Sequence, residues 1–379
     1  MILNWPIIIT CAVGISILLT LFIIPQIIRV SIAKGLFDRP NERKIHKGTI
    51  PRLGGVAFLP VILLTVGIIM VIPATLSFSC PPGYNDGFVS YLPEILVLVA
   101  AMIIMFLTGV LDDLMGLKYG MKFIAQIIAA VLIVEAGAYI TEYYGLFGIH
   151  HTGVAIGKII TAFLVVYIVN SYNLIDGIDG LAAGIGVITL SYYGMVLFAS
   201  GLFFFSVISW IGAASVAVFW CFNVFGSAEK QTKIFMGDVG SLSIGIFIAF
   251  LGVIIVHHPV VPLGVESGTS KDPLILALSP MMLPLFDVIR VFCIRILKGK
   301  SPFLPDKRHI HHRMMESGFS MKTTMVTLLI IQVIILVFNL QISEFVNINW
   351  ILCADLALYM GCIMLLRPFK ERQLKKMEK

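Results

Sequence analysis

Long apolar runs separated by short polar segments make up most of the chain. The runs fall at roughly 5–30, 53–73, 94–111, 121–141, 158–175, 181–200, 202–222, 239–257, 273–294, 323–341 and 350–367. Each approaches the ~20 residues that an α-helix needs to cross the hydrocarbon core of a bilayer. None alternates polar with apolar, as the shorter strands of a membrane barrel do. The pattern predicts an all-α polytopic integral membrane protein of about eleven transmembrane helices, forming a single transmembrane domain over 1–379. The first run has no small-residue cleavage site and ends in a basic segment, which marks it as a retained helix and not a removed signal peptide.

Composition narrows the class. Hydrophobic residues make up 59% of the chain and charged residues 13%, against about a quarter charged in an ordinary soluble domain. That excludes a soluble globular enzyme and a disordered chain. The 6 cysteines are scattered, and most (Cys11, Cys221, Cys293, Cys353, Cys362) sit in apolar runs, which excludes a disulfide-stapled secreted fold.

The net charge is +6, and its placement orients the helices. Lys and Arg crowd 29–52, 111–122, 223–238, 295–322 and the tail from Arg367, which are alternate connections. The opposite connections, 74–93, 142–157 and 258–272, carry only Lys271. By the positive-inside rule the crowded side is cytoplasmic, so the N-terminus is predicted outside and the C-terminus in the cytoplasm. Loops at about 31–52, 111–121, 174–181, 223–240 and 295–322 then face the cytoplasm and are the segments expected to form a site. Residues 368–379 form a basic cytoplasmic tail.

Carboxylates at membrane depth are costly and usually functional, and here they gather at one edge. Asp112 and Asp113 end the third run in GVLDDLMGLK, Asp176 and Asp179 sit in NSYNLIDGIDGLAAG, and Asp238 opens the eighth run in FMGDVGSLSIG. On the predicted topology these three segments converge under the basic loops. Paired aspartates suit a hard cation such as Mg²⁺, which takes one or two carboxylates together with substrate phosphates. One member can instead act as a base, and a helix cap is the plainer reading of Asp112 and Asp113. Asn173, Asp176 and Asp179 recur every three residues and, if helical, share one face. In GDVGS, Ser241 is placed to cap a helix whose exposed N–H groups favour an anion such as phosphate.

Two basic segments hold more than charge. SPFLPDKRHIHHRMMESGFS carries His309, His311 and His312 between Arg308 and Arg313. With no cysteine and no evident fourth ligand, a pyrophosphate clamp reads better than a zinc site. DRPNERKIHKGTIPRLGG offers Lys47 and Arg52 as a wall of the same site or as a lipid-headgroup contact. Asp287 and Asp355 receive no role, and His150, His151, His257 and His258 fall in outside loops.

Together LDD, NLIDGIDGLAAG, FMGDVGS and SPFLPDKRHIHHRMMESGF resemble the polyprenyl-phosphate N-acetylhexosamine-1-phosphate transferases, which are multi-spanning, Mg²⁺-dependent enzymes. The likeness runs from the 38–55 loop to about residue 320, with the motifs in the family order. The HIHHR form preceded by SPFLPD is similar to the branch that uses UDP-N-acetylglucosamine (UDP-GlcNAc). That branch starts O-antigen, enterobacterial common antigen and teichoic-acid-type linkage units.

The resemblance implies transfer of N-acetylglucosamine-1-phosphate from UDP-GlcNAc to undecaprenyl phosphate. The products are undecaprenyl-diphospho-GlcNAc and UMP, formed at the cytoplasmic face of a bacterial inner membrane. It implies Mg²⁺, with Mn²⁺ as the alternative, held by Asp238, Asp113 and Asn173. Asp112 would engage the lipid phosphate as base or orienting group, and Asp176 and Asp179 would line the metal and nucleotide site. His309, His311, His312 and Arg313 would grip the diphosphate or sugar, with Lys47 and Arg52 on the lipid or nucleotide wall. The expected partners are the two substrates and membrane lipids, with a homodimer by analogy and no nucleic acid.

The same chemistry with another UDP-N-acetylhexosamine, or with UDP-MurNAc-pentapeptide, is the alternative. A transporter is more distant, because transporters place such carboxylates near the midplane between inverted repeats. A scaffold that docks a partner through the basic tail would not need the NLIDGIDG and GDVGS clusters.

Overall fold

The computed structural model describes residues 4–37, 50–75, 81, 84, 89–258, 272–299, 301 and 308–377. Helices α1 (Trp5–Lys34), α2 (Phe58–Thr75), α3 (Leu92–Met115), α4 (Tyr119–Glu135), α5 (Val154–Ile175), α6 (Leu181–Ala199), α7 (Phe203–Phe225) and α8 (Gly237–His257) follow in order. A 3-10 turn at Gly54–Ala57 leads into α2. After them come α9 (Pro273–Leu278), a 3-10 turn at Ser279–Met281, α10 (Met282–Leu297), α11 (Ile310–Glu316), α12 (Met321–Ile342) and α13 (Ile348–Met377). Strands β1 (Glu142–Leu146) and β2 (Ile149–His151) form an antiparallel hairpin between α4 and α5.

Among the described residues, ten helical segments are long and apolar enough to cross a membrane, with Pro273–Leu297 counted as one. The run expected at 121–141 forms the 17-residue α4, at the short end of the ~17–25 residues a span requires. Local signals set the ends. Asn4 caps α1 by accepting from Ile7 N–H at 3.0 Å, and Gly35 closes it in the left-handed conformation at φ +67°.

Burial orders the bundle. Helix α8 is apolar all round and is 100% buried over its membrane-length window, whereas that figure is 28% for α1. A helix with no polar face must be enclosed by other helices, and α3, α5, α6 and α9 pack around α8. The outer helices α1, α2, α12 and α13 turn Leu18, Phe22, Leu64, Val337 and Leu365 outward. On a membrane protein this is the expected lipid-facing surface.

Between α9 and α10 the helix breaks inside the core. Pro280 and Pro284 remove backbone donors, so nearby carbonyls lack helical partners. Side chains of other helices fill the gap. Gln332 of α12 donates to Ser279 O at 2.9 Å and accepts from Leu283 N–H at 3.1 Å. Thr189 donates to Pro280 O at 3.1 Å, and Tyr193 donates to Ala277 O. Asn339 donates to Ser279 Oγ at 3.1 Å and to Asp355 Oδ2 at 2.8 Å. Asp355, which has no role in the sequence reading, thus joins the polar cluster that supports this break. Irregular backbone at membrane depth survives only when protein satisfies it in this way.

The bundle has two distinct ends. At one, the hairpin meets the start of α13 through Asn349 Nδ2 and Gly145 O at 2.8 Å, and His257 bonds Tyr139 O at 2.8 Å. At the other lie the ends of α3 and α5, the start of α8, and α11.

Replacing Gln332 by Leu leaves the Ser279 carbonyl and the Leu283 amide unpaired in an apolar core. The expected cost is on the order of 2–4 kcal/mol, read as a lower unfolding temperature of the detergent-solubilised protein. An unchanged midpoint would show that the break does not depend on this amide.

Candidate active site

The site is built on one close crossing. Gly109 lies one turn before Asp113 on α3, and a Cβ there would sit 2.2 Å from Val239 Cα. The glycine therefore lets α3 run directly against the start of α8. The fully buried Asp113 side chain then accepts from Asp238 N–H at 3.1 Å and Val239 N–H at 3.0 Å. These are first-turn donors with no partner inside their own helix, and the carboxylate charge suits the positive helix end. Arg52 approaches the same carboxylate at 3.5 Å.

This geometry corrects two expectations for GDVGS. Ser241 does not cap α8: it lies inside the helix, donates to Gly237 O at 3.3 Å and accepts from Asn173 Nδ2 at 2.7 Å. The anion at this helix start is the Asp113 side chain, so those two N–H groups are not exposed for phosphate.

The Asp112 carboxylate lies beside that of Asp238. It accepts from Leu117 N–H at 2.6 Å and from Lys122 Nζ at 2.7 Å. Lys122 also stands 3.5 Å from Asp238 Oδ1, so one ammonium links two carboxylates of different helices. Asn173 of α5 donates to the same Asp238 oxygen at 2.7 Å.

The triplet Asn173, Asp176 and Asp179 does not lie on one continuous helix. Helix α5 stops at Ile175, Asp176 is its non-helical cap, and Asp179 sits in the turn before α6. Gly180 makes that turn at φ +78°. Asn223 holds its N–H at 2.6 Å and Trp220 Nε1 its carbonyl at 3.0 Å. Lys233 pairs with Asp179 at 2.6 Å. Burial, then the charges of Asp238, Asp113 and Asp179, push the Asp176 carboxyl up to about 8.

The histidine segment packs onto this turn. A Cβ on Gly177 would meet His311 Nε2 at 2.1 Å, so the imidazole occupies the space that the glycine leaves. His311 is buried and neither ring nitrogen has a partner among the described residues. Burial, then neighbouring His312, pull its pKa down to about 3. The His309 and His311 rings stack at 6.0 Å, and those of His311 and His312 lie 4.3 Å apart. His309 Nδ1 is 2.7 Å from Asp287 Oδ2.

The structure thus gathers Asp112, Asp113, Asn173, Asp176, Asp179, Asp238, Arg52, His309 and His311 at one end of the bundle, with His312 and Arg313 on the same short helix. Lys47 lies outside the described residues. In the sequence Lys122 and Lys233 signal only topology, and their ion pairs with Asp112, Asp238 and Asp179 become visible only in three dimensions. Asp287 and Tyr359 carry no distinguishing signal within their apolar runs.

Among the described residues, no group of three or more His, Cys, Asp or Glu is arranged to enclose a metal ion. A Mg²⁺ ion does not require such a cage, because it binds through one or two carboxylates and keeps waters or substrate oxygens. The donor set fits that mode: Asp238 offers a hard carboxylate at the edge of the site and is already joined to the amide of Asn173.

Residues 95–256 match the profile of glycosyl transferase family 4. Over 325 residues the chain is 30% identical to the probable undecaprenyl-phosphate N-acetylglucosaminyl 1-phosphate transferase of Bacillus subtilis (strain 168), covering 84% of this chain and 80% of that one. It is 28% identical over 297 residues to the undecaprenyl-phosphate alpha-N-acetylglucosaminyl 1-phosphate transferase of Escherichia coli (strain K12), covering 77% and 72%. To the protein of that name from Yersinia pestis it is 28% identical over 303 residues, covering 79% and 74%.

The α3–α8 crossing can be tested without substrate. Gly109→Ala places a methyl group against backbone that cannot yield, at an expected cost of ~1–3 kcal/mol. Gly14→Ala, where nothing lies within 4 Å of the added carbon, is the control. Equal unfolding temperatures for the two variants would contradict the crossing described here.

Proposed function

The chain belongs to glycosyl transferase family 4, in the branch of undecaprenyl-phosphate N-acetylglucosaminyl 1-phosphate transferases, and from that premise we propose that it transfers N-acetylglucosamine-1-phosphate from UDP-GlcNAc to undecaprenyl phosphate, releasing UMP. The observation that carries this reading is the meeting of five aspartates, Asn173 and three cations at one end of an apolar bundle. A lipid phosphate waits at headgroup level and a nucleotide sugar arrives from water, so their reaction needs charged groups at the membrane edge. The basic connections on that side support a cytoplasmic site, with the N-terminus outside if α4 is counted as a short eleventh span.

Transfer of a phosphoryl group depends mainly on positioning and on stabilising charge that develops on phosphate oxygens. Asp112, held by Lys122, engages the attacking lipid phosphate as its base or as an orienting group. Lys122 also stands beside Asp238, so it sits where the two substrates' phosphates would approach. Asp238 and Asn173, with Asp113 anchoring the start of α8 beneath them, are the residues that would hold Mg²⁺. Bound there, Mg²⁺ would neutralise charge on the diphosphate. Asp176 and Asp179 line the nucleotide side, and His309, His311, His312 and Arg313 grip the diphosphate or sugar. Arg52 and Lys47 belong to the wall of the same site.

Purified protein with Mg²⁺, undecaprenyl phosphate and UDP-GlcNAc should release UMP. Asp112→Asn and Asp238→Asn should each lower that rate at least about 100-fold while the protein stays folded. Wild-type turnover in either variant would reject its assigned role. UMP release from UDP-GalNAc or UDP-MurNAc-pentapeptide, but not from UDP-GlcNAc, would reassign the donor.

A further inference from the structure

One charged cluster lies outside the carboxylate site and is closely bonded. Asp287 of α10 is 1% exposed. Its Oδ1 accepts from Arg290 Nη2 at 2.9 Å, Tyr359 OH at 2.7 Å and Ile310 N–H at 2.9 Å. Its Oδ2 meets His309 Nδ1 at 2.7 Å. The Tyr359 hydroxyl accepts in turn from Arg290 Nε at 2.8 Å, and Arg290 Nη2 also donates to the Arg308 carbonyl. One buried carboxylate thereby joins α10, the last long helix α13 and the entry to α11.

The bonding pattern has a direction. A carboxylate that accepts only needs a hydrogen on His309 Nδ1, which fixes the ring's orientation and leaves Nε2 as its other nitrogen. Asp287 also takes the first N–H of α11, whose start has no side-chain cap of its own. Ring stacking then passes the position of His309 to His311, which rests on Gly177 between Asp176 and Asp179. Stability alone is a poor explanation for such a cluster, because buried ion pairs are often no better than apolar packing.

We infer that Asp287, Arg290 and Tyr359 are positioning residues: they hold His309 with its Nε2 edge toward the ligand and seat α11 on the 176–180 turn. The catalytic part of this inference rests on the transferase reading above, whereas the structural part does not. Partners that orient a functional histidine typically change activity by ~10–100-fold when removed.

The test combines two readouts on the full-length protein in detergent, for Asp287→Asn and for the milder Tyr359→Phe. Hydrogen–deuterium exchange should rise in the peptide spanning 308–318 and stay unchanged in α8. UMP release should show kcat lowered by ~10–100-fold for Asp287→Asn, with the UDP-GlcNAc KM nearly unchanged. In a His309→Gln background, Tyr359→Phe should cost little further, because both changes break one linkage. Unchanged exchange at 308–318 in both variants would overturn the clamp, whether or not the wild type turns over UDP-GlcNAc. Fully additive losses in the double variant would overturn the route through His309. Raised exchange in a protein that releases no UMP from any donor would leave the clamp standing and remove the transferase reading.

Discussion

The start of α8 is the constraint on which the site depends. That helix is enclosed from Val239 onward, and no side chain of its own caps its first N–H groups. Asp113 of α3 supplies the missing acceptor. A buried helix end must be satisfied by some such partner, and here the partner comes from another helix. The bond therefore fixes two helices relative to each other. Asp112, the preceding residue of α3, and Asp238, in the first turn of α8, are both positioned by it. Lys122 can reach both because their separation is set.

Cations on this face serve two purposes that composition does not separate. A lysine or arginine beside a span helps to orient it, and Arg52, Lys122 and Lys233 also neutralise individual aspartates at the site. The histidine segment adds groups of another kind. His311 is buried against Gly177, with no hydrogen-bond partner for either ring nitrogen among the described residues. The matched family region ends at residue 256, yet the histidine segment at α11 packs onto the site and is bonded to Asp287 of α10, which Tyr359 of α13 also holds.

Much of this was legible in the sequence, for identifiable reasons. Apolar runs report spans because lipid admits little else, and aspartates at their edges report a site because charge there is costly. What stayed hidden depends on contacts between distant segments. The break at Ser279–Met281 lies within an apolar run that still reads as one span, and the side chains that make it tolerable, Gln332, Thr189, Tyr193 and Asn339, come from other segments. The three-residue spacing of Asn173, Asp176 and Asp179 suggested a helix face, but glycines at 177 and 180 end that helix and turn the chain. Ser241 looked like a cap because its true competitor, Asp113, lies more than a hundred residues away. Lys122 and Tyr359 have no distinguishing local pattern at all.

The broken segment also bears on how the chain is assembled. Ser279 O and Leu283 N–H find their partner in Gln332, 53 and 49 residues further along. During synthesis α9 and α10 emerge before α12 exists, so these polar groups enter the bilayer unpaired. Leaving them in lipid costs free energy until α12 arrives. The broken segment and α12 are therefore best viewed as one unit, whose polar groups are satisfied only once both are in the membrane. Chain termination or a stall between them would leave a product that lipid cannot accommodate and quality control can recognise.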